Sequence, residues 1–171
     1  MGKKLKASVI FIILLLADQL TKLWAVKVLK PIGSIPVIRN VLEIYYVENR
    51  GAAFGIMQNK QWFFLIITLA VLAGLIWISG KIPDERNFTT LKICLYFVGA
   101  GAVGNMIDRI FRKYVVDFVY FSLINFPVFN VADIYVTVAA VMLVILILFF
   151  YQEEDFDRIF PKKTKEGRRE L

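Results

Sequence analysis

The sequence contains no histidine and a single cysteine, Cys94. The missing histidine removes Ser-His and Cys-His catalysis, histidine general bases and histidine-ligated zinc. One cysteine allows no intrachain disulfide. Cys94 sits inside an apolar run, where a buried, inert thiol is expected. Charge is also scarce: 20% of the residues are charged and 58% are hydrophobic. A soluble domain has an apolar share of about 45–50% and a charged share of about 25%. There is no internal repeat and no low-complexity linker, and 171 residues suit one domain. The 21 basic residues outnumber the 14 acidic ones. They flank apolar runs, so they are read as topology signals and not as a nucleic-acid surface.

Long apolar runs are what the chain does have. A bilayer core needs about 20 mostly apolar residues per helix. Four segments qualify, at about 7–28, 62–79, 91–111 and 128–151. The expected fold is therefore an α-helical integral membrane protein with four transmembrane helices. The first run enters Asp18-Gln19-Leu20-Thr21-Lys22 without a small-residue cleavage site, so it is expected to stay as an uncleaved helix. Twelve basic residues fall on one side of the spans: Lys3, Lys4, Lys6, Lys81, Arg86, Lys92, Arg158, Lys162, Lys163, Lys165, Arg168 and Arg169. The positive-inside rule then places both termini in the cytoplasm. Residues 1–152 are expected to form one membrane unit, and 153–171 a loose, charged cytoplasmic tail. The outward segment 29–61 contains VLEIYYVENRGAAFGI, which predicts strands with a turn near Asn49-Arg50-Gly51. In the second outward segment, YVVDFVYF reads as a short strand or an interfacial stretch.

Charges inside a membrane are costly and mark function by default. Here every one falls toward the outer ends of the spans, which predicts a single site near the outer face. Asp18 and Lys22 are four apart and share a helix face. Asn105 and Asp108 are three apart, as are Asn130 and Asp133. Asp18 and Lys22 suit a structural ion pair as well as a direct role. Asp108 and Arg109 suit a fold-holding network, and Arg109 also suits binding of substrate carbonyls. Arg112 and Lys113 read as interfacial anchors. Gly99, Gly101 and Gly104 predict close approach of another helix. Asp117 and Asp133 have no convincing basic partner at helical spacing. Two such acids at one site suggest a pair sharing a proton, one acting as acid and one as base. That chemistry activates water with no metal, cofactor, histidine or serine nucleophile. A proton or cation carrier would instead place its acids near the midplane. A non-catalytic adaptor would tolerate Asp-to-Asn changes at both positions.

The motifs, taken in order, resemble those of lipoprotein signal peptidase, the bacterial type II signal peptidase family. Asp18-Gln19-Leu20-Thr21-Lys22 looks like its first motif, and Asn49-Arg50-Gly51-Ala52-Ala53-Phe54-Gly55 like its second. Gly104-Asn105-Met106-Ile107-Asp108-Arg109 is similar to the third, followed by Val115-Val116-Asp117-Phe118. Phe129-Asn130-Val131-Ala132-Asp133 matches the last. The resemblance runs from about Ala17 to Val138. Ile134 departs from it, standing where a small or hydroxyl residue is common. The resemblance implies a catalytic dyad of Asp117 and Asp133, and substrate-binding roles for Asn49, Gly51, Asn105, Arg109 and Asn130. It implies supporting roles for Asp18, Lys22 and Asp108. It also implies a small extracytoplasmic β-sheet and a short outer helical segment. The implied activity is cleavage of diacylglyceryl-modified prolipoproteins just before the lipidated cysteine. The implied setting is the bacterial cytoplasmic membrane, with the active site near the outer face. The expected partners are those substrates and membrane lipids, with no nucleic acid, no metal and no cofactor, and a monomeric protein.

Overall fold

The computed structural model describes residues 3–51, 57–58 and 60–161. Positions 52–55 of the second motif and the basic residues of 162–171 lie outside the described residues. Among the described residues, four helices are long and apolar enough to cross a membrane: Ala7–Ile32, Gln61–Ser79, Arg86–Phe111 and Val131–Phe150. A lipid environment leaves no water to satisfy backbone N–H and C=O groups, so a helix that bonds its own backbone is the solution. The helices turn Trp62, Ile66, Leu148 and Phe149 outward, an arrangement suited to a lipid solvent.

Helix α1 (Lys3–Trp24) continues through a π-helical turn, Ala25–Leu29, to a last turn at Lys30–Ile32. Strands β1 (Ser34–Ile38) and β2 (Leu42–Asn49) follow, then α2 (Gln61–Ser79) and α3 (Thr89–Phe111). Strand β3 (Val115–Tyr120) leads to α4 (Val131–Ile145), which ends in a π-helical turn, Leu146–Phe150. The sheet is antiparallel in the order β1-β2-β3. YVVDFVYF thus holds the third strand. The hairpin reverses at residues 39–41, where Asn40 takes a positive φ of 60° and the Val41 N–H donates to the Ile38 carbonyl at 3.0 Å. The chain also bends at Gly51, so the turn expected near Asn49-Arg50-Gly51 is present, but it marks the exit from β2 and not the hairpin. Asn49 is used there for side-chain bonding, described below.

Helix α3 is central and packs against α1, α2 and α4. Its small residues explain why. A Cβ on Gly101 would lie 2.5 Å from the Ala132 carbonyl oxygen and 2.8 Å from Val136 Cγ2. A Cβ on Gly104 would collide with the Asp18 carboxylate. Both glycines therefore serve close approach. Gly101→Ala is expected to push α4 off α3 and destabilise the bundle by about 1–3 kcal/mol, as overpacked sites do. A lowered unfolding midpoint in detergent is the check. Asp133 follows Ala132 directly, so the position of its carboxylate should shift with it.

The tail differs from the expectation of a loose segment. Glu153–Ile159 forms a short helix, α5, opened by a capping box between Gln152 and Asp155. Ile159 is buried with Ile82, Phe88, Leu91 and Leu95. Asn87 Nδ2 donates to Asp155 at 2.9 Å, and Arg158 pairs with Glu85. Ile159 docks this turn against the start of α3, while the Phe156 ring meets Tyr151 at 6.4 Å. Cys94 is buried as expected, in a cluster with Ala139 and Leu146.

Candidate active site

Asp133 lies in the first turn of α4, whose N-cap is Asn130. Asn130 Oδ1 accepts from the Asp133 N–H at 3.1 Å, and Asp133 Oδ2 accepts from the Asn130 N–H at 3.1 Å. This reciprocal box satisfies two donors that a helix start would otherwise leave unpaired. It also sets the direction of the Asp133 carboxylate. Its other oxygen, Oδ1, accepts from Asn105 Nδ2 on α3 at 2.9 Å.

Asp117 comes from β3 and is buried. In the sheet register Asn49 stands opposite Val115, and Asp117 opposite Val47. Side chains two apart share a face, so Asn49 and Asp117 meet. Asn49 Nδ2 donates to Asp117 Oδ2 at 2.8 Å, and Asn130 Nδ2 donates to Asp117 Oδ1 at 2.6 Å. Asn130 therefore bridges the two carboxylates, which make no direct hydrogen bond with each other among the described residues. Burial pushes the Asp117 carboxyl up to about 7, and the nearby Asp133 charge adds to this. The bonds from Asn49 and Asn130 pull in the opposite direction.

Beneath this pair lies a fully buried ionic knot. Lys22 Nζ sits 2.9 Å from Asp18 Oδ2 and 3.2 Å from Asp108 Oδ2. Asp18 Oδ1 accepts from the Ala132 N–H at 3.0 Å, tying α1 to the start of α4. Asp108 Oδ2 accepts from the Val116 N–H at 3.2 Å, tying α3 to β3. Asp108 also pairs with Arg112. Arg112 is thus not a free interfacial anchor; its spacing of four from Asp108 was the available signal. Lys22 further donates to Asn105 Oδ1 at 2.8 Å, and Asn130 Nδ2 reaches the same oxygen at 3.2 Å. With Oδ1 held by two donors, the Asn105 amide presents its Nδ2 to Asp133.

The two acids face a cleft of about 430 Å³. Asn49, Gly51, Asn105 and Arg109 line it, as do Phe126, Pro127 and Phe129 on one side and Ile134, Thr137 and Val138 along α4. Asn130 is fully buried, and its amide is committed to Asp117, Asn105 and Asp133. The Gly51 N–H donates to Asn49 Oδ1 at 3.0 Å, which orients the Asn49 amide. Arg109 lies over the Phe64 ring at 5.0 Å and makes no ion pair among the described residues. Asp18, Lys22 and Asp108 lie behind the cleft and not on its surface. The sequence reading missed Gln19, whose Nε2 joins Asp18 to the Gly104 carbonyl, and the ring under Arg109. It also missed Ile134, Thr137 and Val138. Their helical spacing from Asn130 was a usable signal, since positions 130, 133, 134, 137 and 138 share one face.

The chain matches the family model described as signal peptidase (SPase) II over residues 10–149. It is 48% identical over 139 residues to the lipoprotein signal peptidase of Caldanaerobacter subterraneus subsp. tengcongensis, covering 80% of this chain and 92% of that protein. It is 38% identical over 155 residues to the lipoprotein signal peptidase of Streptococcus pyogenes, covering 90% of this chain and 98% of that one. A solved bacterial membrane enzyme superposes with a TM-score of 0.75 at 32% identity, covering 94% of both chains.

Proposed function

Because this chain belongs to the signal peptidase II family, we propose that it acts as an aspartic endopeptidase on diacylglyceryl-modified prolipoproteins, cutting just before the lipidated cysteine. The observation that carries this reading is the pair Asp117 and Asp133, held by three asparagines at one cleft. Asp117 is the more buried acid, and its raised value lets it keep a proton near neutral pH. Asp133 faces the cleft as carboxylate and base. It takes a proton from water as the water oxygen attacks the scissile carbonyl carbon. The Asp117 proton moves to the carbonyl oxygen. Collapse of this gem-diol breaks the C–N bond: the cysteine nitrogen leaves with the proton from Asp133, and one gem-diol hydroxyl returns its proton to Asp117, so a carboxyl group forms and both acids end as they began. Arg109 meets substrate backbone carbonyls, while Asn49, Asn105 and Asn130 hold the dyad. Asp18, Lys22 and Asp108 hold the asparagines and the strand.

The protein acts as a monomer in the bacterial cytoplasmic membrane, in contact with lipid. Residues 1–152 carry the peptidase site, and 153–171 follow on the cytoplasmic side, with α5 docked against the start of α3. Both termini are cytoplasmic and the cleft opens near the outer face. The signal helix runs down from the dyad along Ile134, Thr137 and Val138.

The test uses purified protein in detergent with a metal chelator present, offered lipidated and unlipidated forms of one prolipoprotein. Cleavage of the lipidated form alone is expected. No cleavage of either form overturns the reading, and equal cleavage of both overturns the lipid requirement. A pH dependence follows from the Asp117 value. The carboxyl is protonated below about 7 and loses that proton above it. Activity should therefore decline as pH rises through that value, by about tenfold for each further pH unit when one proton is essential. A rate still rising at pH 9 would contradict the assignment.

A further inference from the structure

We propose that the loop of residues 121–129 is an acyl-chain subsite, reading the diacylglyceryl group of the substrate through Phe129, Phe126 and the tip pair Leu123 and Ile124; this rests on the peptidase reading above. The loop is Phe-Ser-Leu-Ile-Asn-Phe-Pro-Val-Phe and contains no charged residue. It is built firmly. The Phe118 and Val119 N–H groups donate to the Phe129 carbonyl at 3.0 and 2.8 Å, and the Phe129 N–H donates to the Val119 carbonyl at 3.0 Å. The Phe126 N–H donates to the Phe121 carbonyl at 3.2 Å, and the Tyr120 hydroxyl donates to Asn125 Oδ1 at 2.7 Å. The Phe129 ring packs against Phe121 at 5.8 Å and Phe126 at 5.9 Å, giving a continuous aromatic wall. At its far end Leu123 and Ile124 are 68% and 69% exposed.

The same loop has its other end at the dyad. Phe126 and Phe129 line the cleft that holds Asp117 and Asp133. The substrate's chemistry then selects the loop. The lipid hangs on the sulfur of the residue that supplies the leaving nitrogen, a few bonds from the scissile carbonyl. Methylenes left in water are costly, so both chains need an apolar path between the dyad and the bilayer. Ile134 and Val138 on α4 also lead away from the cleft, but they lie on the path given above to the signal helix, which leaves the loop for the lipid. Two other apolar surfaces at this end of the bundle lack that continuity. Strand β1, with exposed Val37 and Ile38, lies two strands from Asp117. On α2, the Phe64 ring is covered by the Arg109 guanidinium.

The experiment measures kcat/KM for two forms of one prolipoprotein, carrying dipalmitoylglyceryl or dioctanoylglyceryl, in mixed micelles of constant composition. The proteins are wild type, Leu123→Ser/Ile124→Ser, Phe126→Ala and, as a control, Trp62→Ala. Trp62 is a similarly exposed apolar residue on α2 that does not line the cleft. Wild type should prefer the long-chain form by about tenfold or more, a gap of about 1.4 kcal/mol. Both loop variants should reduce that ratio to within about threefold, chiefly through KM, and Trp62→Ala should leave it unchanged. The tip pair is solvent-facing, so its variant tests the proposal even if Phe126→Ala folds poorly. An unchanged ratio in the tip variant overturns the subsite. So does equal loss of the ratio in Trp62→Ala, or a wild type indifferent to chain length. If wild type cuts neither form, the peptidase reading falls first and this one with it.

Discussion

Asp117→Asn and Asp133→Asn should each abolish cleavage of a diacylglyceryl-modified prolipoprotein, with a loss of at least about 10²–10⁴-fold, the usual contribution of a positioned acid or base. An amide can neither accept the proton from water nor return one to the leaving nitrogen. The two losses should not add, because the proposed dyad acts as one unit, and the double variant should be no worse than either single one. Each substitution also disturbs the asparagine cradle. Asp117 accepts from two side-chain amides, so an amide nitrogen placed there must face another N–H donor. Asp133 Oδ1 accepts from Asn105, and the amide rotamer that keeps the capping box sets two NH₂ groups together. The unfolding midpoint of each variant should therefore be recorded beside its activity. A folded Asp117→Asn protein with near-normal turnover would make that acid structural and end the dyad account.

The second large effect is structural. Lys22→Met should destabilise the protein by about 3–5 kcal/mol, the usual result of removing one partner from a buried ionic group. Lys22 is fully buried between two fully buried carboxylates. Arg112 neutralises Asp108 only from its partly exposed side. Without Lys22, Asp18 is left buried with no counter-charge, while still accepting the Ala132 N–H. Asn105 loses the donor that orients its amide. Activity should fall along with stability, because that amide holds Asp133. Adding Asp18→Asn to Lys22→Met removes the stranded charge, so the double variant should recover part of the lost midpoint. A Lys22→Met protein as stable as wild type would mean that the knot does not hold the four elements together.

Legibility of the fold and site from sequence followed the range of the interactions. The four spans were readable because the apolar runs have the length a bilayer demands. The Asp18–Lys22 pair was readable because four residues is one helical turn, and the knot contains that pair at 2.9 Å. The partner of Asn105 was not readable. Its bonds reach Lys22, Asn130 and Asp133, and only the packing of α1, α3 and α4 brings these groups together. Asn130 shows the same limit. Its place before Asp133 was visible, but its bridge between the two acids depends on where β3 lies. The hairpin reversal at Asn40 was hidden behind the more conspicuous Asn49-Arg50-Gly51. The charged sequence of 153–159 masked Ile159, whose docking needs the apolar start of α3 beside it.

The most direct measurement is mass spectrometry of both products after incubating the purified protein with a lipidated prolipoprotein, chelator and ¹⁸O-labelled water. The account predicts one fragment that begins at the diacylglyceryl cysteine with a free amine. It predicts a released signal peptide whose new carboxylate carries one solvent oxygen, and no products from Asp117→Asn or Asp133→Asn. An intact precursor, or a new N-terminus at any other residue, would contradict it.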